Sequence, residues 1–311
     1  MGRARSRATY VAYRGLGAAI QRAPEALAGG VAAAVAQVMA ASNGTKRHMA
    51  ELHMRRLLAS SSPGTAPDEK LVRRLGRQAF REYARYWVDG ARLAAVDPID
   101  VCRRMTVESG FEHLQRGMAE GKGVVLALPH VGSWEWGGSF LNQQGYPMTS
   151  VAERLEPPAL FEWFVGQRRR MGLTVIPLDN HASSRLLRTL REGGLVGLLC
   201  DRDILGNGVE VRFFGERTTL PAGPATLALR SGATLLAAVV YSGPGRHHTA
   251  VISAPFDTRR LGTLRADVTR VTQAVACRLE EYIRRAPEQW HMFQPNWPSD
   301  QTPPAAPRSS R

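Results

Sequence analysis

A histidine and a glutamate five positions apart are the residues here most suited to acid–base chemistry. They stand in Leu128-Pro129-His130-Val131-Gly132-Ser133-Trp134-Glu135, where an apolar run hands over directly to the imidazole. A histidine at a strand end can take a proton from a hydroxyl at neutral pH. Glu135, about a turn and a half further on, is expected to fix the ring and stabilise the imidazolium that forms. The competing structural reading is a histidine simply hydrogen-bonded in place.

Other charged groups follow apolar runs. Asp201-Arg202-Asp203 comes after Leu195–Cys200, and Glu153-Arg154 comes after Pro147–Ala152. The acidic pair can orient an acceptor hydroxyl or an arginine, or it can be a local ion-pair set around Arg202. Arg154, Arg202 and the Arg168-Arg169-Arg170 run suit an oxyanion or phosphate, although three arginines ending a helix also complement its dipole. Phe213-Phe214-Gly215-Glu216 leads to a Pro- and Gly-containing stretch opening a helix, whose amides can face an anion or simply start the helix. A covalent route lacks its parts, because there is no G-x-S-x-G elbow and no cysteine beside a histidine, although Cys200 adjoins Asp201. Walker, Rossmann and H-E-x-x-H motifs are absent too. Direct transfer assisted by a general base remains. The rival is a metal-dependent glycosyltransferase using Asp201-x-Asp203 as a D-x-D clamp.

The segments that must position these groups read as alternating strands and helices. Apolar runs at 124–129, 147–152, 173–178, 195–200 and 233–241, with a further candidate at 249–254, suit strands buried on both faces. Helices are expected at 134–143, 158–171, 182–192, 224–230 and 264–285. Strands separated by helices of this length imply crossovers and an α/β fold with a mostly parallel central sheet flanked by helices. Residues 1–100 read as a helical, basic segment packed on the same core, 101–297 as the α/β core, and 298–311 as a disordered tail. At 311 residues the chain can bury about three quarters of its unfolded surface. Its three cysteines, far apart and never in C-x-x-C spacing, fit a reducing, cytosolic setting.

Charge narrows the partner. Residues 1–92 hold 16 Lys and Arg against 6 Asp and Glu, so they supply +10 of the chain's +14. The excess falls on amphipathic stretches such as 71–87, which carries Arg73, Arg74, Arg77, Arg81 and Arg85. Such helices can lie on anionic lipid, and a solvated basic face is the bland reading. No zinc-finger spacing, RNP-like strand or recognition helix speaks for nucleic acid. The apolar stretch 26–41 is too short to span a bilayer and lacks the layout of a signal peptide. A soluble or surface-bound protein is expected.

Taken together, His130-x-x-x-x-Glu135, Arg168, Asp201-Arg202-Asp203, the stretch 209–215 (VEVRFFG) and the run 287–297 (PEQWHMFQPNW) resemble the lysophospholipid acyltransferase superfamily, in its lipid A biosynthesis acyltransferase branch. Within that branch they are most similar to phosphatidylinositol mannoside acyltransferases. The resemblance spans about residues 10–298. It implies a peripheral enzyme at the cytoplasmic face of the cell membrane that moves a long acyl chain, typically palmitoyl, from acyl-CoA as co-substrate to a mannose hydroxyl of a phosphatidylinositol mannoside. No metal or bound cofactor is implied. By the same resemblance His130 is the general base and Glu135 its partner; Arg168 matches the family's catalytic arginine, and its later acidic residue falls on Asp201 or Asp203. The donor's tail is expected in an apolar groove lined from residues 134–141. The sequence is silent on oligomeric state.

Overall fold

The computed structural model describes residue 11 and residues 14–62 and 64–301. Residues 14–22 are helical, and four helices follow: α1 (Glu25–Ser42), α2 (Gly44–Ser61), α3 (Glu69–Leu93) and α4 (Pro98–Arg103). Local chemistry sets their starts. Asn43 Oδ1 accepts from the Lys46 amide, Asp68 from Lys70, and Asp97 from Ile99 with Pro98 at the first helical position. In α3, Val72, Leu75, Ala79, Phe80, Ala84 and Val88 recur at helical spacing and are buried, packing with Ala50 and Met54 of α2 and with Phe293. Arg73, Arg74, Arg77 and Arg81 stay exposed on the opposite side. The described part of the first hundred residues is thus helical, as expected, and among the described residues no helix is long and apolar enough to cross a membrane.

The core is a seven-stranded sheet. Its strands in chain order are β1 (Met105–Ser109), β2 (Val124–Leu128), β3 (Met148–Ala152), β4 (Thr174–Pro177), β5 (Leu195–Leu199), then, after a β6–β7 hairpin (Val209–Phe213 and Glu216–Leu220), β8 (Thr234–Ser242) and β9 (His248–Ile252). The spatial order is β1-β9-β8-β2-β5-β3-β4. Every pair is parallel except β8–β9, whose short connection forces an antiparallel return. Helices α5 (Phe111–Ala119), α6 (Trp134–Gln143), α7 (Pro158–Arg170), α8 (Ala182–Arg191), α9 (Gly223–Ser231) and α10 (Leu264–Arg285) complete the order. All five residues of β2 are buried, with Val125 and Ala127 facing a core shared with α8, α9 and α10. Val124, Leu126 and Leu128 face the other, shared with α5 and α6.

All six expected strands are present within a residue or two of their predicted ends. Four elements have no counterpart in the sequence reading. Strand β1 is short, polar and half exposed, α5 is only nine residues long, and β6 and β7 form a hairpin in a stretch that was assigned no strand. Its two-residue turn places Phe214 at φ 49° and Gly215 at φ 80°, the positive values a tight hairpin requires. Residues 298–301, read as the start of a disordered tail, are ordered. Residues 298–301 form a short 3₁₀ turn in which Asp300 Oδ2 accepts from the Asn296 and Trp297 amides at 2.9 and 3.0 Å and Oδ1 meets Arg56 at 2.8 Å. Residues 302–311 lie outside the described set.

Candidate active site

Parallel pairing of β2 with β5 sets Leu128 beside Leu199. Two residues past each partner stand His130 and Asp201, so the strand register itself brings them together. His130 Nδ1 lies 2.5 Å from Asp201 Oδ1, and the His130 amide donates to Oδ2 at 2.9 Å. The indole N–H of Trp290 donates to the same Oδ2 at 2.8 Å, and the Asn296 side chain donates to the Asp201 carbonyl at 3.0 Å. Asp201 is completely buried while 28 % of the His130 side chain is exposed. Burial alone would raise the Asp201 carboxyl, but the charge of the His130 ring and the converging N–H donors hold it below its ordinary value. An ionised carboxylate can only accept, so Nδ1 carries a proton, and in the neutral ring the lone pair is then on Nε2. The arrangement can accept a proton at Nε2 and balance the resulting charge.

The loop that carries the ring is fixed by the segment after α10. Val131 bridges to Trp290, the Gly132 amide donates to the Gln289 carbonyl at 3.1 Å, and the His291 amide to the His130 carbonyl at 2.8 Å. Gly132 sits at φ 58°, and a Cβ there would lie 2.0 Å from the Val240 carbonyl oxygen, so only glycine lets the loop close on the sheet.

Glu135 does not hold the imidazole, which corrects the expectation drawn from the five-residue spacing. It lies in the first turn of α6 and turns toward α3 and α7. Its Oε1 accepts from the Tyr86 hydroxyl at 2.8 Å and from Arg168 at 3.1 Å, while Oε2 is buried without a partner. Burial would lower the Arg168 guanidinium, but the Glu135 charge holds it above its ordinary value, and burial together with that charge pushes the Tyr86 phenol well above its own. The Arg168 guanidinium also lies over the Trp134 ring, 5.2 Å from its centroid.

The remaining candidates separate. Asp203 closes the loop after β5, accepting from the Gly206 and Gly208 amides at 2.9 and 2.8 Å and from Thr219 at 2.8 Å. Asp201 and Asp203 are therefore committed to different protein partners, an arrangement at odds with a D-x-D metal clamp. Arg202 approaches Glu153 at 3.7 Å. Arg154 is largely exposed and meets Asp179 at 3.5 Å, past the end of β4, the strand third from β2. Cys200 is no nucleophile, because burial and then the Asp201 charge push its thiol up. Trp134 and Trp136 are both buried packing residues.

Between α6 and the sheet lies an apolar cavity of about 30 Å³, lined by Trp134, Gly137, Phe140, Leu141 and Val240 among others. It falls where a groove was expected but offers room for little more than one methylene. Side chains at Gly137 or Gly138 would collide with Val240 or Leu173, at 2.6 and 2.4 Å, so the glycines let α6 lie directly on the sheet.

Tyr86, Trp290 and Asn296 were not singled out for chemistry. Tyr86 sits in a stretch read for its charge, and the other two sit in the run 287–297, quoted only for its resemblance.

The carboxylate-held imidazole stands beyond the ends of parallel strands, where open α/β sheets take their ligands, and can accept a proton there. The profile of the family described as bacterial lipid A biosynthesis acyltransferase matches residues 3–299, and the chain belongs to that family. It is an acyltransferase. It is 36 % identical to the phosphatidylinositol mannoside acyltransferase of Mycolicibacterium smegmatis over 288 residues, covering 90 % of this chain and 88 % of the relative. Identity is again 36 % with the protein of that name from Mycobacterium tuberculosis H37Rv, over 76 % of this chain and 73 % of the relative. A lipid A biosynthesis acyltransferase of Haemophilus influenzae is 29 % identical over 58 % of this chain and 55 % of its own.

Proposed function

We propose that the protein transfers a long acyl chain, palmitoyl or similar, from acyl-CoA to a mannose hydroxyl of a phosphatidylinositol mannoside, working peripherally at the cytoplasmic face of the cell membrane. The observation that carries the chemistry is the 2.5 Å contact between His130 Nδ1 and Asp201, which leaves Nε2 to act. The sugar hydroxyl gives its proton to Nε2 as its oxygen attacks the thioester carbonyl. The tetrahedral oxyanion then collapses, the C–S bond breaks, and the imidazolium returns the proton to the departing sulfur. The acyl group passes directly from sulfur to the sugar oxygen, without an acyl-enzyme. A positioned base of this kind contributes roughly 10²- to 10⁴-fold.

Glu135 takes a different part from the one its spacing suggested. An unpartnered buried oxygen costs roughly 1 to 3 kcal/mol, and we assign Glu135 Oε2 to a hydroxyl of the acceptor sugar, with Tyr86 and Arg168 holding the carboxylate in place. Membrane attachment falls to the basic helices. Arg73, Arg77 and Arg81 follow one another at four-residue spacing along α3, facing an open cleft that Arg47 of α2 also lines. Glu51 offsets one of these four charges, and anionic headgroups would balance the rest.

The substrate reading is supported by the names of the two mycobacterial relatives. The test is to incubate the purified protein with palmitoyl-CoA and a panel of lipid acceptors and find by mass spectrometry which gains the acyl mass. Gain on a phosphatidylinositol mannoside is expected. Acylation of only unmannosylated lipids or lipid A precursors overturns it.

A further inference from the structure

The segment 287–297 reaches the site from far along the chain, and one of its side chains ends on the carboxylate that holds the imidazole. Trp290 is completely buried. Its indole N–H donates at 2.8 Å to Asp201 Oδ2, the oxygen that also receives the His130 amide. Its backbone bridges Val131, next to the ring, so the same residue fixes both members of the pair. A single extended backbone could have closed the loop with any buried apolar residue at this position. The indole adds a hydrogen-bond donor to a carboxylate that would otherwise have one oxygen served only by the loop it is meant to anchor.

We infer that Trp290 is a positioning residue for acyl transfer, its indole N–H fixing the carboxylate of Asp201 so that the His130 ring presents Nε2 to the acceptor hydroxyl. The inference rests on the reading of His130 as the base. The carboxylate loses torsional freedom because Oδ2 is held from two directions, by the His130 amide and by the indole, leaving Oδ1 aimed at Nδ1. Preorganisation of this kind acts on turnover rather than on substrate affinity. The donor also spreads the negative charge of the carboxylate, so removing it strengthens the pull of Asp201 on the imidazolium. The titratable groups that face this carboxylate are His130, Cys200 and His291, and His53 packs on the Trp290 ring at 5.5 Å between centroids.

A built-in control is present. Trp297 is another buried tryptophan of the same segment, but its indole N–H goes to the Phe213 carbonyl at 3.2 Å. Trp290→Phe and Trp297→Phe each remove one indole and one N–H bond, and only the first touches Asp201. The experiment measures kcat, KM and the pH profile of kcat for the wild type, both variants and His130→Ala. Trp290→Phe is expected to lower kcat about tenfold or more, the loss of one hydrogen bond to a charged group, with KM within about twofold. The acid limb of its profile moves to higher pH, whereas Trp297→Phe leaves that limb in place. An unchanged kcat and limb in Trp290→Phe overturns the inference, as does an equal fall in both variants with neither limb moved. Near wild-type turnover in His130→Ala would instead sink the reading of the base. Should Trp290→Phe not fold, the wild-type enzyme answers the question by NMR. One of its six indole N–H resonances should lie downfield and move through the pH range of the acid limb, and six pH-invariant resonances overturn the inference.

Discussion

His130 and Asp201 are 71 residues apart in the chain and 2.5 Å apart in space, joined because Leu128 and Leu199 share a register position on adjacent parallel strands. The carboxylate nearest in sequence, Glu135, belongs to a different set, with Tyr86 and Arg168. The two acids therefore predict different losses when changed.

Asp201→Asn keeps the shape of the site but lets the amide favour the wrong tautomer of His130. Turnover is expected to fall by at least about 100-fold, measured with acyl-CoA and the best acceptor. Asp203→Asn, in the loop after β5, should cost less than about tenfold. Activity should also survive EDTA. A larger loss from Asp203→Asn than from Asp201→Asn, with EDTA sensitivity reversed by manganese, would restore the D-x-D reading.

Glu135→Ala leaves Arg168 with an unpaired charge in a mostly buried setting. Breaking one side of such a pair costs about 3 kcal/mol or more, whereas replacing both partners by apolar groups is often near neutral. The double variant Glu135→Leu/Arg168→Met is therefore expected to melt above Glu135→Ala while remaining inactive. A double variant that melts no higher than the single one would contradict this account of the pair.

Acid should loosen the fold before it reaches the range of ordinary carboxylates. Burial lowers His53 from 6.5 to about 4, its Nδ1 facing Arg56 and its Nε2 donating to the Gln294 carbonyl, and burial likewise lowers His291 to about 4. Both are neutral in the folded protein. Below pH 6.5 the unfolded chain binds the extra protons, so stability is complete above that pH and declines as the pH falls toward 4. Each histidine contributes a slope of at most about 1.4 kcal/mol per pH unit. Urea melts across this window should show the decline, and His53→Gln should reduce it.

Binding to vesicles containing anionic lipid should weaken as salt rises, because attraction beyond about 8 Å is screened at physiological ionic strength. Replacing Arg73, Arg77 and Arg81 together by Gln should lower vesicle affinity about 100-fold, at about 1 kcal/mol per charge. Sedimentation with vesicles measures both. Equal binding by the variant, or indifference to salt, would move the anchor elsewhere.

Much of the frame was legible because buried parallel strands read as unbroken apolar runs. Val124–Leu128, Leu195–Leu199 and Thr234–Ser242 all fall where they were expected. The strand-end rule also selected His130 and Asp201 as chemistry-bearing positions. Spacing suggested Glu135 as the orienter, since five residues are close in sequence, but its side chain meets Tyr86 and Arg168, whose approach from α3 and α7 no local pattern gives. Pairing across strands depends on spatial order, and nothing local to Leu128 says that its neighbour is Leu199 rather than Ala152. Strand β1 escaped because a half-exposed edge strand needs no apolar run. Trp290 escaped because its role depends on a return of the chain after α10 that no local pattern encodes.

That return also sets an order of events at the ribosome. The strands and helices of the core are complete by residue 285, but the residues that bridge Val131 and cap Asp201 come only afterward in the chain. A translation product stopped short of residue 290 would carry both His130 and Asp201 and still leave them unclasped. Loss of that segment would also strip Trp290, Met292 and Trp297 from the core they share with the sheet.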